Sequence, residues 1–302
     1  MSFVAPYLEL MRFGNPVGAV MVYFPYLYGS LFAVSAPDES TGSKLNAMLS
    51  TNIVLFPAAI MLHSAACSWN DIVDSDIDKK VSRTRLRPIP RGAISLYSAY
   101  IFTFVEAIIW LWLCHLASPQ TLIWSLPLLP LSMIYPYSKR FTHYTTAFLS
   151  PIIAWAIYIG YVAMGADPLS SPATFWGLTC MFLAECIHEN ILEMIYAHQD
   201  LKDDLKAGIS SMAIRFRAGP KRALALFAFL ELVFRVATGI LLGFGSFYFV
   251  VACSGSALIN AWMLLSVDLT DVAQCWWWFQ GGGLMIGSVL SIGTLSQLQG
   301  WW

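Results

Sequence analysis

The sequence predicts an all-α membrane protein, a multi-pass bundle of about nine transmembrane helices. Of its 302 residues, 58% are hydrophobic and only 12% are charged, whereas a soluble globular protein has about 25% charged residues. The mean hydropathy is +0.63, and the apolar residues lie in long uninterrupted runs. Such runs satisfy their backbone hydrogen bonds as helices, and the alternating pattern of an outer-membrane barrel is missing.

Nine apolar runs approach the roughly 20 residues that a helix needs to cross a bilayer. The runs 52–69, 121–137 and 148–164 contain no Asp, Glu, Lys or Arg. In chain order the predicted spans are 15–33, 52–69, 95–116, 121–137, 148–164, 174–196, 223–243, 247–267 and 276–295. We interpret the whole chain, residues 1–302, as one membrane domain.

The basic residues predict how the spans are oriented. Most of the 17 Lys and Arg residues lie in the loops after the second, fourth and sixth spans. Loops rich in Lys and Arg remain in the cytosol, so these three loops and the N-terminus are predicted to be cytosolic. Residues 1–12 do not have the Arg-rich, acid-poor character of a mitochondrial presequence, which favours the endoplasmic reticulum.

A first cluster of acidic residues follows the second span. At 100° per residue, Asn70, Asp71, Asp74 and Asp78 share one helix face, whereas Asp76 points away from it. Several carboxylates at a membrane boundary repel one another unless a cation lies between them. Carboxylate and amide oxygens suit Mg²⁺, which fills the rest of its coordination shell with water and substrate phosphates.

A second acidic cluster follows the sixth span. Asp200 and Asp204 are i,i+4 neighbours, with Asp203 beside them, so this turn also presents a carboxylate face. The alternative for one such run alone is a solvated acidic turn that ends a transmembrane helix. Two matched runs, four spans apart, favour a pair of metal sites that hold one diphosphate.

Four motifs resemble those of the UbiA superfamily of intramembrane prenyltransferases, most closely its 4-hydroxybenzoate polyprenyltransferase branch. They lie in the segments 70–92, 135–145 and 196–219. The motifs are Asn70-Asp-x-x-Asp74-x-x-x-Asp78, Arg83-Thr-Arg-Leu-Arg87-Pro88, Tyr135-Pro-Tyr-Ser-Lys139-Arg140, and Tyr196-Ala-His-Gln-Asp200-x-x-Asp203-Asp204. No motif of this kind is visible after Gly219.

The resemblance implies helices around a central cavity, a Mg²⁺–diphosphate site beneath cytosolic loops, and prenyl transfer to an aromatic acceptor. By position, Asn70, Asp74 and Asp78 would hold one Mg²⁺, and Asp200 and Asp204 the other. Arg87, Lys139 and Arg83 would contact the diphosphate, and Tyr135 would line the same pocket. The chain departs from the family pattern at His143-Tyr144, near Ser210, and at Glu193, where Asp is commoner. These departures leave the identity of the aromatic acceptor open.

Glutamates in the sixth span form a second group of candidate residues. Glu185, Glu189 and Glu193 follow i,i+4 spacing, and acids at such depth usually face a cavity. One hypothesis is that Glu189 or Glu193 orients or deprotonates a phenolic acceptor; the alternative is a polar packing seam. Arg12 would either pair with an acceptor carboxylate or act as a cytosolic anchoring charge. Glu231 and Arg235, also i,i+4, are interpreted as a buried ion pair.

These patterns favour a magnesium-dependent enzyme that transfers a prenyl group, such as farnesyl, to a phenolic ring in secondary-metabolite (meroterpenoid) biosynthesis. Three alternatives remain open: a 4-hydroxybenzoate polyprenyltransferase of ubiquinone synthesis, a terpene cyclase, and a cation carrier. The expected partners are a prenyl diphosphate, a phenolic small molecule and the lipid bilayer. With a net charge of −1, no nucleic-acid partner is expected, and no obligate protein partner is evident.

Overall fold

The structure, a computed structural model, describes residues 4–34 and 41–299, and in this part of the chain it contains helices and no strands. Two π-helical turns, Phe249–Ser254 and Trp278–Gly282, and two 3-10 turns, Tyr135–Arg140 and Ser296–Gln299, join or end the α-helices. The α-helices are α1 Ala5–Leu10, α2 Val17–Val34, α3 Thr41–Val73, α4 Ser75–Asp78, α5 Leu96–Ala117, α6 Pro119–Ser125, α7 Leu128–Ile134, α8 Thr146–Ala154, α9 Ala156–Ala163, α10 Pro172–Ala197, α11 Leu201–Ala207, α12 Met212–Arg215, α13 Pro220–Leu241, α14 Ser246–Tyr248, α15 Gly255–Ser266, α16 Val272–Trp277 and α17 Gly283–Leu295.

Among the described residues, six helical segments are long and apolar enough to cross a membrane, so the chain is an integral multi-pass membrane protein. They correspond to the first, second, third, fifth, seventh and eighth predicted spans. The six segments are Val17–Val34, Ser43–Val73, Leu96–Ala117, Thr146–Ala163, Pro220–Leu241 and Ser246–Ser266.

The other three predicted spans differ from simple apolar helices for identifiable reasons. The fourth is divided into α6 and α7 at Pro127, which has no backbone N–H to continue a helix. The sixth is the continuous helix α10, but it carries three glutamates. The ninth is interrupted between α16 and α17 by a π-helical turn. The described part of the chain therefore supports an all-helical bundle with six candidate spans, and the count of nine spans is not confirmed.

Helix α2 runs through the centre of the bundle and packs against α3, α9 and α17. Its crossing with α9 depends on two glycines. A Cβ atom on Gly29 would lie 2.0 Å from the carbonyl oxygen of Ile157, and one on Gly160 would lie 2.0 Å from that of Tyr26. Because small residues let membrane helices approach to backbone contact, this crossing fixes α2 beside the site described below.

A buried network of charges joins α10, α13 and α15. Arg235 lies 2.5 Å from Glu231 and 3.4 Å from Glu185. Glu231 also lies 3.2 Å from His188 and accepts a hydrogen bond of 2.8 Å from Asn260. The predicted Glu231–Arg235 ion pair is confirmed, and Glu185 belongs to it. Glu185 is thereby separated from Glu189 and Glu193, which point elsewhere.

Candidate active site

One cavity of ≈ 360 Å³ lies where α2, α3, α8, α10 and the three basic loops meet. Every site residue predicted from the sequence lines it. These residues are Arg12, Asn70, Asp74, Asp78, Arg83, Arg87, Tyr135, Lys139, Glu193, Asp200 and Asp204. The sequence therefore identified the side chains that converge, although they come from segments far apart in the chain.

The first aspartate face is built where α3 ends at Val73 and the chain turns into the short helix α4. Asp74 lies at this turn and is buried; its Oδ2 accepts a hydrogen bond from Lys139, while its buried Oδ1 has no partner among the described residues. Lys139 also donates to Asn70 at 3.3 Å, and Arg87 donates to Asp78 at 2.9 Å. Burial raises the pKa of Asp78, although Arg87 opposes the shift.

Asp71 lies behind this face and does not line the cavity. Its fully buried carboxylate accepts hydrogen bonds of 2.7 Å from Arg12 and 2.9 Å from Arg87, so it holds two cavity-lining guanidinium groups in place. Arg12 adopts a φ of 60°, a conformation unusual for a residue with a side chain. The expectation that Asp71 belongs to the same cavity-lining face as Asn70 is therefore wrong. Asp71 lies behind that face and holds Arg12 and Arg87 in position.

Asp76 points away from the cavity, as the helical spacing predicted. It is 61% exposed and pairs with Arg140 at 3.0 Å on the surface. Exposed ion pairs of this kind contribute little to stability. Asp76 therefore serves as an internal comparison for Asp74, two residues away.

The second aspartate face lies at the start of α11. Asp200 accepts two hydrogen bonds from Arg83, 3.0 Å from Nε and 2.6 Å from Nη2. Asp204 is buried and has no ion-pair partner among the described residues. Burial, followed by the neighbouring Asp200 carboxylate, raises the pKa of Asp204 to about 7. A buried carboxylate left without a cation is the environment in which a bound metal ion is expected.

The three basic loops pack on one another at the mouth of the cavity. The Arg83–Asp200 pair joins the loops that follow the second and sixth predicted spans, and Asp203 accepts 3.2 Å from the backbone N–H of Ser82. Arg215 donates a hydrogen bond of 3.1 Å to the Tyr144 hydroxyl, which joins the loop after the fourth predicted span to the loop after the sixth. All three loops therefore lie on the same side of the bundle, as the charge pattern predicted.

The donor set fits Mg²⁺ only if a ligand completes it. In the described ranges, no three His, Cys, Asp or Glu side chains are grouped closely enough to hold a metal ion by themselves. Mg²⁺ is commonly held by one or two carboxylates, with phosphates and water supplying the remaining oxygens. The unpartnered Oδ1 of Asp74 and the unpaired carboxylate of Asp204 are suitable protein ligands for such a shared site.

Deeper in the cavity the lining becomes apolar, with Met21, Leu62, Leu149 and Ile152 among its walls. Glu189 and Glu193 both line the cavity from α10. The structure therefore divides the glutamate stripe. Glu185 belongs to the packing seam, and the other two line the cavity.

Several lining residues were not found from the sequence. Trp276, Phe279 and Gln280 come from the last third of the chain, where no motif was visible. His63 also lines the cavity, and its Nε2 lies 3.6 Å from the Cys67 sulfur. The signal for Gln280 was its position as a polar residue in a strongly apolar segment.

Comparison with known proteins agrees with this geometry. The profile of the UbiA prenyltransferase family matches residues 22–289. The chain belongs to the UbiA prenyltransferase family. It is therefore an enzyme of the class that transfers prenyl groups.

The curated relatives include fungal enzymes. Prenyltransferase adrG of Penicillium roqueforti is 35% identical over 269 residues, covering 87% of this chain and 81% of the relative. The DMOA farnesyltransferase nvfB of Aspergillus novofumigatus is 35% identical over 216 residues, covering 71% of this chain and 66% of the relative.

A solved structure shares the fold. This is a UbiA homolog from Archaeoglobus fulgidus bound to DMAPP and Mg²⁺, which superposes with a TM-score of 0.70 at 15% identity, over 97% of this chain and 99% of the homolog. At this identity, the likeness concerns the fold.

Proposed function

We propose that this protein catalyses the Mg²⁺-dependent transfer of a prenyl group, such as farnesyl, from a prenyl diphosphate to the ring of a phenolic acceptor. The observation that carries the proposal is the convergence of two aspartate faces and three cationic side chains at the mouth of one partly apolar cavity. A polyanionic head and a hydrocarbon tail match the two ends of this cavity.

The cationic side chains would bind and orient the diphosphate. Lys139, Arg87 and Arg83 pair with aspartates of the two faces. Asn70, Asp74 and Asp78 would hold one Mg²⁺ and Asp200 and Asp204 the other, and the metal would supply charge that stabilises the departing diphosphate. Lys139, Arg87 and Arg83 would contact the phosphate oxygens, where fixed positive charge favours the transition state for ionisation.

The reaction needs no reactant other than the prenyl diphosphate and the phenol. The bond between the allylic carbon and the diphosphate oxygen breaks, and the diphosphate leaves with the electron pair. A ring carbon of the phenol then forms a bond to the allylic carbon, and the ring loses a proton. Glu193 faces the cavity from α10 and is placed to orient the phenol or accept its proton, while Tyr135 closes the wall beside Lys139.

The relatives favour a role in secondary metabolism. Among them, nvfB is named a farnesyltransferase, which supports farnesyl as the group transferred here. The departures at His143, Tyr144 and Glu193 support an acceptor other than 4-hydroxybenzoate. We place the enzyme in the endoplasmic reticulum with the basic loops, and hence the mouth of the cavity, towards the cytosol, since Lys-rich and Arg-rich loops remain on that side.

The test is to incubate membranes that contain the protein with prenyl diphosphates of graded length and a panel of phenols, and to identify the products by mass. An adduct of prenyl group and phenol, formed with Mg²⁺ and lost in EDTA, is expected. Asp74→Ala should abolish it, whereas the matched variant Asp76→Ala, on the exposed side of the same motif, should retain it. A cyclic hydrocarbon made without any phenol, or cation transport without diphosphate release, would contradict the proposal.

A further inference from the structure

The turn between α16 and α17 brings a polar side chain into the cavity from a segment that is otherwise apolar. Residues 276–283 read Trp-Trp-Trp-Phe-Gln-Gly-Gly-Gly, and Trp278–Gly282 forms a π-helical turn. Such turns are rare and occur mostly as local bulges, frequently at functional sites. Phe279 and Gln280 within this turn, and Trp276 just before it, line the cavity.

Close packing fixes where this turn lies. A Cβ atom on Gly283 would lie 2.7 Å from the Cε of Met21 and 3.2 Å from the Cδ1 of Leu192. The start of α17 therefore rests directly against α2 and α10, the two helices that wall the cavity. Gln280 precedes this contact by less than one turn, so its backbone position is set by the packing of the glycines.

An aromatic cluster connects the turn to the diphosphate end. The ring of Phe279 lies 4.7 Å from Tyr196 and 5.9 Å from Trp276. The guanidinium of Arg83, which grips Asp200, lies 5.1 Å over the Tyr196 ring. Glu193 lies one helical turn before Tyr196 on the same helix face. The cluster thus lies beside the place where the allylic carbon is released, rather than in the apolar depth of the cavity.

The Gln280 side chain has no hydrogen-bond partner in the described part of the chain, although it carries two donors and an acceptor. This half-buried amide opens onto the cavity, so it is free to bond to a ligand there. The prenyl tail has no group that can do so, and the diphosphate is matched by Lys139, Arg87 and Arg83. The remaining substrate, a phenolic acceptor, carries oxygen atoms of the required kind.

We propose that Gln280 determines acceptor specificity by hydrogen bonding to an oxygen substituent of the aromatic acceptor, whose ring lies against Tyr196, Trp276 and Phe279. This inference rests on the proposed prenyl transfer and assigns a site for its second substrate. In this arrangement the acceptor ring is held between Glu193 and the π-helical turn, next to the carbon that it attacks.

The experiment pairs a change in the enzyme with a change in the acceptor. Gln280→Leu and the wild type are assayed with two phenols that differ only in one further oxygen substituent, such as a carbonyl or a second hydroxyl, across a small set of such pairs. For the pair that the site recognises, Gln280→Leu should lower kcat/KM about 10-fold for the oxygen-bearing acceptor, as expected for one lost hydrogen bond. It should leave the acceptor without that oxygen, and the KM for prenyl diphosphate, unchanged.

Two controls separate this role from a structural one. Trp277→Leu alters a residue three positions before Gln280 that does not line the cavity, and should leave acceptor preference intact. Gln280→Glu keeps the size of the side chain but removes its donors, and should disfavour acidic acceptors selectively. An equal loss for both members of every acceptor pair, or a loss confined to the KM for prenyl diphosphate, would overturn the assignment of Gln280. Failure of the wild type to prenylate any phenol would instead overturn the proposed function on which it rests.

Discussion

Lys139 provides a sharp test, because its ammonium group has two roles with opposite consequences when it is removed. Its Nζ bonds to Asp74 and lies 3.3 Å from Asn70, and in the proposed mechanism it turns to the diphosphate. A hydrogen bond to a charged group is worth about 1.5–3 kcal/mol. At about 1.4 kcal/mol per tenfold change, Lys139→Met should lower kcat/KM for prenyl diphosphate by roughly 10-fold to 150-fold.

Metal binding should change in the other direction. In the absence of diphosphate, Lys139 competes with a cation for the Asp74 carboxylate. Removing it leaves Asp74 without its protein counter-charge, so the substrate-free Lys139→Met variant should bind Mn²⁺, used as a paramagnetic probe for Mg²⁺, more tightly than the wild type. Arginine keeps the charge but not the compact shape of the ammonium group, so Lys139→Arg should give intermediate values.

Steady-state kinetics with each substrate varied in turn, together with Mn²⁺ titration by electron paramagnetic resonance, measure both effects. Arg140→Met is the matched control, because Arg140 is 40% exposed and pairs only at the surface, with Asp76 and a backbone carbonyl. It should remain close to wild type in both assays. A rise in the KM for the acceptor alone, or weaker Mn²⁺ binding in Lys139→Met, would refute the reasoning.

Asp204→Ala should abolish transfer, whereas Asp203→Ala, at the partly exposed neighbouring position, should retain most of it; equal losses of product in the two variants would contradict a metal role for Asp204. Asp71→Asn should lower kcat/KM for prenyl diphosphate about 10-fold, because it weakens the hydrogen bond that holds Arg87 in position. Kinetics that match the wild type would show that Asp71 does not position Arg87 for catalysis. Arg235→Met should destabilise the protein by about 3–5 kcal/mol, since it leaves buried carboxylates unpaired; an unchanged thermal unfolding midpoint in detergent would contradict the ion network. In a cysteine-free background, single cysteines at the exposed positions Ser82, His143 and Lys202 should react with a membrane-impermeant reagent from the cytosolic side. A single cysteine at the exposed position Ser170 should react only from the opposite side. Labelling at Ser82 and Lys202 from different faces of the membrane would refute the topology.

The sequence predicted the site better than the spans, for a physical reason. Oxygen ligands at helical spacing identify a shared face wherever the helix continues, so Asn70 and Asp74 were placed correctly. The helix ends at Val73 and turns into α4, which brings Asp78 to the cavity, whereas Asp71, one position after Asn70 in α3, is taken up by Arg12 and Arg87. Angular spacing along an ideal helix cannot anticipate such a turn.

The spans were harder because hydropathy reports composition and not continuity. A break at Pro127 and a π-helical turn at Trp278–Gly282 leave the apolar character of a segment unchanged. The turn is also what presents Gln280 to the cavity. A side chain whose role depends on a local change in helical winding cannot be placed by a regular period, although its polarity in an apolar run marks it for inspection.

The central claim is that one cavity ionises a prenyl diphosphate and delivers the prenyl group to an aromatic ring. The most direct measurement follows pyrophosphate release and adduct formation in the same purified sample, with farnesyl diphosphate and a phenolic acceptor. We expect both products to appear in a one-to-one ratio, and both to disappear in Asp204→Ala. Pyrophosphate released without the adduct, or an adduct that persists in Asp204→Ala, would contradict it.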